Sequence, residues 1–178
     1  MNAPNVLTIL RIILIPVFII CLLYGRLFIA LIIFVGAGIT DGLDGLIARV
    51  YRQRTPTGEY LDPIADKLML MSAFIALAVL GMIPRWLMVI VIARDVIIVL
   101  GILILRLTSH RVAIKPIFIG KAATFFQIAT IVWALLTPYS LFLKSVFPYI
   151  IWLTAVLTCI TGLHYIYIGT QYLNEQGG

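Results

Sequence analysis

The sequence predicts an all-α integral membrane protein with six transmembrane helices and both termini in the cytoplasm. Hydrophobic residues fill 63% of its 178 positions and charged residues only 11%, with a mean hydropathy of +1.15. A soluble domain carries roughly a quarter charged residues. Apolar runs long enough to cross a bilayer recur at about 6–24, 27–48, 63–83, 85–107, 118–137 and 149–170. The basic residues gather on alternate connections. Arg49, Arg52, Arg54 and Lys67 surround the second-to-third connection, and Arg106, Arg111, Lys115 and Lys121 the fourth-to-fifth. The opposite face has Arg26, Arg85 and Lys144, so the positive-inside rule puts both longer connections in the cytoplasm.

The first run, MNAPNVLTILRIILIP, has neither a basic leading region nor a small-residue cleavage site, and is expected to stay as a helix. A turn at Tyr24–Arg26 leads into the second run, whose end is rich in glycine and carries Asp41 and Asp44. The polar segment 49–62 precedes the third run, which opens with Asp62 and Asp66. After a turn at Gly81–Arg85, the fourth run holds Arg94 and Asp95 near its middle. The second polar segment, 106–117, feeds the fifth run, and a connection at Thr137–Pro148 feeds the sixth.

Tyr149, Trp152, Tyr165, Tyr167 and Tyr172 fit interfacial anchors along that last helix, and His110 and His164 sit alone at span edges. Cys21 and Cys159 lie in apolar stretches with no metal or redox spacing. One domain over residues 1–178 accounts for the whole chain. The net charge of +6 reads as topological, and no basic stripe interleaved with aromatics points to nucleic acid.

The window DGLDGLIARVYRQRTPTGEYLDPIAD holds Asp41, Asp44, Glu59, Asp62 and Asp66, five of the seven acids in the chain. Ionised carboxylates beside hydrocarbon are costly and mark function. Asp41 and Asp44 are three apart, Asp62 and Asp66 four apart, so each pair shares one helical face. If the two helices are antiparallel neighbours, the four carboxylates form a cage of hard oxygen ligands suited to Mg²⁺ or Mn²⁺. One divalent ion leaves that cage anionic and two nearly neutralise it, an arrangement known to clamp attacking and leaving oxygens in phosphoryl transfer. Gly38 and Gly42 mark either tight helix packing or close approach of a ligand, Gly45 favours the ligand, and Gly58 suits a turn or a tight ligand wall. Arg49, about 12 Å along the axis from Asp41, is either a phosphate ligand or a snorkelling arginine.

The spacing D-x2-D-G-x2-A-R-x8-G-x3-D-x3-D, met from Asp41 to Asp66, resembles the signature of the CDP-alcohol phosphotransferases. The resemblance implies a six-helix homodimer that moves a phosphatidyl group from CDP-diacylglycerol to an alcohol and releases CMP. It further implies that Asp41, Asp44, Asp62 and Asp66 bind the metal, with Asp66 also the base for the attacking hydroxyl. Gly45, Ala48, Arg49 and Gly58 would wall the CDP moiety.

Asn5, Thr8 and Arg11 resemble an N-x-x-T-x-x-R segment that lies beside the nucleotide in one branch of the family, whose acceptors are sn-glycerol 3-phosphate and phosphatidylglycerol. Lys121, Thr124 and Gln127 resemble that branch's G-K-x-x-T-x-x-Q stretch, and three-residue steps let them line one cavity. Ala123 stands where glycerol 3-phosphate users often carry a second lysine.

Arg94, Arg111, Lys115 and Lys121, with Thr124 and Gln127, are the expected acceptor pocket. For Arg94 the competing reading is a structural pair with a carboxylate on another helix, and Asp95 is either its partner or another helix's. The basic surround favours sn-glycerol 3-phosphate as acceptor, with phosphatidylglycerol as the alternative. A divalent-cation carrier is the reading from a different class, but the outer halves of the spans lack the polar path that a carrier needs.

Overall fold

Six apolar runs give six helices, each long enough to satisfy its own backbone. The computed structural model describes the backbone of residues 3–51, 56–107 and 118–174, and the side chains of residues 10–40, 65–101 and 118–171. Its helices are α1 (Ala3–Leu23), α2 (Leu27–Tyr51), α3 (Pro56–Val79), α4 (Arg85–Leu107), α5 (Phe118–Leu136) and α6 (Leu141–Asn174). A short 3-10 turn, Thr137–Tyr139, joins the last two.

The expected order of elements is found, and the two largest differences fall at helix starts. The third helix begins at Pro56 and not at 63. Proline suits a first helical position, because its missing N–H has no partner there anyway and its φ is already helical. The sixth helix begins at Leu141 and not at 149, and carries Pro148 inside it. Its first turns are pinned by side chains: Trp133 Nε1 donates to the Leu143 carbonyl at 3.0 Å, and Ser145 Oγ to that of Phe142 at 2.8 Å.

Two turns are closed by glycines in the left-handed region, Gly25 at φ 69° and Gly81 at φ 70°. Arg26 N–H reaches back to Cys21 O at 2.8 Å while Gly25 N–H bonds Leu22 O at 3.0 Å. Met82 to Leu77 and Gly81 to Ala78 repeat the pattern, so α1 and α3 both end in Schellman motifs.

The helices form two triplets. In the first, α1 packs against both α2 and α3; in the second, α6 packs against both α4 and α5. The triplets meet where α5 touches α2 and α3, and where α3 touches α4. Phe18, Phe34, Phe74, Leu77, Leu87, Ile131 and Leu135 fill the core, and alanines at 30, 73, 78 and 134 let the backbones close in.

Between α5 and α6 the contact is polar: Thr130 and Thr154 share a hydroxyl hydrogen bond at 2.8 Å, and Thr154 also donates to Phe126 O at 3.2 Å. The outward faces stay apolar, with Ile13, Ile32, Val89, Val99, Phe125 and Leu163 all exposed. Two stretches, Phe118–Tyr139 and Leu141–Gln171, are long and apolar enough to cross a membrane; Leu10–Leu23 and Leu27–Thr40 are shorter apolar stretches. Cys21 and Cys159 are free thiols.

Phe74 is fully buried whereas Val79, one turn on, is 69% exposed. Phe74→Ala should cost about 3–5 kcal/mol in detergent unfolding, and Val79→Ala less than about 0.5 kcal/mol. Equal losses would mean that the inward face of α3 is wrongly placed.

Candidate functional site

Asp66 is the member of the acidic window whose side chain is described, and it lines a cavity. The side chains of Asp41, Asp44 and Asp62, and of Asn5, Thr8, Gly45, Ala48, Arg49 and Gly58, lie outside the described residues, as do Arg111 and Lys115. The cavity has a volume of about 380 Å³. Arg11 of α1 and Asp66 of α3 are its charged lining; Phe34, Gly38, Met69 and Ile128 are among its apolar walls. Helices α2 and α3 therefore face one another across a space, with α1 and α5 supplying the other walls, rather than packing directly along the described segments. Arg11 is only 4% exposed, so its guanidinium is held within the protein beside the cavity.

Gly38 borders this space, and a Cβ there would meet nothing within 4 Å, nor would one at Gly36. Among the described residues, these glycines are not sites of tight helix packing. Because α2 runs unbroken to Tyr51 and α3 starts at Pro56, both helices carry the acidic window on continuous backbone. Position 41 follows Gly38 by three residues and position 62 precedes Asp66 by four, spacings that keep to one helical face.

A second charged cluster lies around α3 from Asp66. Consecutive residues on a helix point about 100° apart, and Lys67 turns from the cavity towards α4. Its Nζ meets Asp95 Oδ1 at 2.7 Å, and Arg94 NH1 meets the same oxygen at 2.7 Å. Side-chain exposure is 37% for Lys67, 6% for Arg94 and 4% for Asp95. Asp95 Oδ2 and Arg94 Nε are buried without a hydrogen-bond partner among the described residues.

The Arg94 stem lies along Gly162 of α6, where a Cβ would sit 3.7 Å from its Cγ. Its NH2 ends 3.7 Å from the corresponding point on Gly120, in the first turn of α5, beside the Tyr165 hydroxyl and Thr161. Small residues on α5 and α6 thus give the guanidinium its channel.

Several expectations change in detail. Arg94 does have a carboxylate partner, its own neighbour Asp95, and the shared oxygen ties α4 to α3. Lys67, grouped with the charges around the second-to-third connection, sits well inside α3 and belongs to this cluster. Tyr165, expected as an interfacial anchor, is half-buried with its hydroxyl near Arg94; Tyr149, Trp152 and Tyr167 are exposed.

Lys121, Thr124 and Gln127 do not share the described cavity. Lys121 is exposed, Thr124 Oγ1 donates to Gly120 O at 3.2 Å, and Gln127 is fully buried with Nε2 3.5 Å from Thr158 Oγ1 on α6. Two three-residue steps accumulate a rotation of about 120°, enough to carry Gln127 into the α5–α6 interface. Residues Asp95 and Lys67 were the ones missed as a pair. The signal available was an arginine and an aspartate adjacent in mid-span, which cannot both stay uncompensated.

The model of the family described as CDP-alcohol phosphatidyltransferase matches residues 1–160. A probable phosphatidylglycerophosphate synthase of Mycobacterium tuberculosis is 38% identical over 184 residues, covering 99% of this chain and 84% of its own. A CDP-diacylglycerol--glycerol-3-phosphate 3-phosphatidyltransferase of Bacillus subtilis is 33% identical over 182 residues, 92% of this chain and 93% of its own. A human cardiolipin synthase (CMP-forming) is 32% identical over 185 residues, 94% of this chain and 62% of its own.

Because the position of Gly38 is open, Gly38→Ala should keep the fold and gain up to about 1 kcal/mol of stability. A loss of that size in thermal unfolding would show that α2 packs closely there after all.

Proposed function

The chain belongs to the CDP-alcohol phosphatidyltransferase family, and on that premise we propose that it transfers the phosphatidyl group of CDP-diacylglycerol to sn-glycerol 3-phosphate, giving phosphatidylglycerophosphate and CMP. It is an enzyme of the CDP-diacylglycerol-dependent type. The observation that carries the acceptor assignment is the Lys67–Asp95–Arg94 cluster, in which two cations share one carboxylate oxygen. Its surplus positive charge, placed next to Asp66 in sequence, suits an acceptor that bears phosphate. Phosphatidylglycerol, the second reading, is favoured by Ala123 and by the similarity to a cardiolipin synthase.

The apolar outward faces support a bilayer location. The protein sits in the cytoplasmic membrane as a six-span domain, both termini and the reacting centre on the cytoplasmic side, and works as a homodimer. CDP-diacylglycerol enters laterally. Its lipid part lies along the apolar walls of the cavity, and its pyrophosphate approaches the polar end marked by Arg11 and Asp66. Asn5, Thr8, Gly45, Ala48, Arg49 and Gly58 hold the cytidine nucleotide.

Asp41, Asp44, Asp62 and Asp66 would hold Mg²⁺ or Mn²⁺, two ions by charge balance, and the bound metal would supply positive charge for the pyrophosphate and the leaving CMP. Asp66 accepts the proton of the acceptor's 1-hydroxyl. That oxygen forms a bond to the lipid-linked phosphorus in line with the breaking bond to CMP, so catalysis is chiefly positioning and charge neutralisation. Arg94, Arg111, Lys115, Lys121, Thr124 and Gln127 form or support the acceptor side.

Purified protein with Mg²⁺ and CDP-diacylglycerol should release CMP with sn-glycerol 3-phosphate and far more slowly with phosphatidylglycerol, serine or inositol. Release with phosphatidylglycerol alone would replace this acceptor by the second reading, and no release with any would defeat the transferase assignment. Asp66→Asn should lower turnover by at least about 10³-fold while CDP-diacylglycerol still binds. Wild-type turnover in that variant would remove Asp66 as the base.

A further inference from the structure

Three charged side chains from two helices meet at a single atom. Lys67 Nζ and Arg94 NH1 each lie 2.7 Å from Asp95 Oδ1, while Asp95 Oδ2 has no partner among the described residues. A tie between α3 and α4 needs one cation on that carboxylate. Adding a second leaves the group, among the described residues, with one surplus positive charge next to apolar helix faces, which is costly unless an anion completes it. The surplus is accessible from one side: Asp95 and Arg94 are enclosed, whereas the Lys67 side chain is 37% exposed. The guanidinium also stops at a wall built from Gly120, Thr161 and Tyr165, where the first turn of α5 contributes its dipole. Lys67 follows Asp66 directly, so the ammonium rides on the same helical turn as the proposed base.

We propose that Lys67 is an acceptor-binding residue and Asp95 its positioning residue: one carboxylate oxygen holds Lys67 and Arg94 side by side as a two-cation clamp for a phosphate monoester. The proposal rests on the transferase reading above and adds the cation that Ala123 fails to provide. A monoester carries close to two negative charges at neutral pH, whereas the phosphodiester of phosphatidylglycerol carries one. The clamp therefore favours the monoester. Lys67 acts through charge, and because lysine presents a point charge without fixed geometry, arginine at this position should serve.

The test uses the full chain in detergent, comparing wild type, Lys67→Met and Lys67→Arg. Partial exposure of Lys67 makes these variants compatible with folding. Glycerol 3-phosphate binding is titrated calorimetrically with CMP and Mg²⁺ present, and KM for both substrates is measured alongside. Lys67→Met should weaken glycerol 3-phosphate binding and raise its KM about tenfold or more, with the CDP-diacylglycerol KM within about twofold. Lys67→Arg should stay within about threefold of wild type in both measurements. With phosphatidylglycerol as acceptor, the Lys67→Met effect should be smaller.

Glycerol 3-phosphate binding in Lys67→Met equal to wild type would overturn the proposal. So would an equal rise in both KM values, which is the mark of a purely structural tie. Failure of the transferase reading shows separately, as no CMP from wild type with any acceptor; the binding titration still decides the role of Lys67 in that case.

Discussion

One oxygen of Asp95 compensates two cations among mostly apolar helix faces, and the placement of charge between the central helices depends on it. Arg94 is 94% enclosed along its side chain and reaches past α6 to the first turn of α5. Without a carboxylate at its side, such an arginine would cost several kcal/mol. With Asp95 in place, the guanidinium can stay charged inside the helix bundle and still leave donors unspent. Lys67 closes the same contact from α3, in the register that packing sets between the two helix triplets.

That register separates two environments around α3. Asp66 turns to the cavity shared with Arg11, and Lys67 turns to the cluster on α4. A lipid-linked donor suits the first, with its apolar walls. A small phosphorylated acceptor suits the second, with its surplus positive charge. The hydroxyl to be activated would then meet the donor phosphorus at α3, where both environments adjoin. Inside a helix bundle, electrostatic positioning of this kind is strong because little water screens it.

The number and order of helices were legible in the sequence because each run is apolar over more than four turns. The ends were not, and both misplaced starts involve proline: Pro56 begins a helix, while Pro148 fails to break one. The four aspartates stand out by spacing, since few constraints other than ligation keep four such residues beside hydrocarbon; of these, the side chain of Asp66 is described, and it lines the cavity. Arg94 was recognisable as expensive, but the identity of its partner was not, because adjacent residues on a helix usually point apart. Only the length of the arginine side chain lets it fold back onto Asp95. Lys67 was hidden by its charge, which reads equally well as a topological signal. The three-residue series through Gln127 does not keep to one face, as its rotation adds up within two steps, and Gln127 turns into the α5–α6 interface.

The central claim is that the buried ions are kept for substrate and not for the fold. Replacing a buried ion pair by apolar residues of similar volume is often neutral or stabilising, so the double variant Arg94→Met/Asp95→Leu separates the two roles. It should unfold within a few degrees of wild type and still bind CDP-diacylglycerol. Its CMP release with glycerol 3-phosphate, measured at fixed subsaturating acceptor, should fall by about a hundredfold or more. Release at the wild-type rate from that variant would contradict the account.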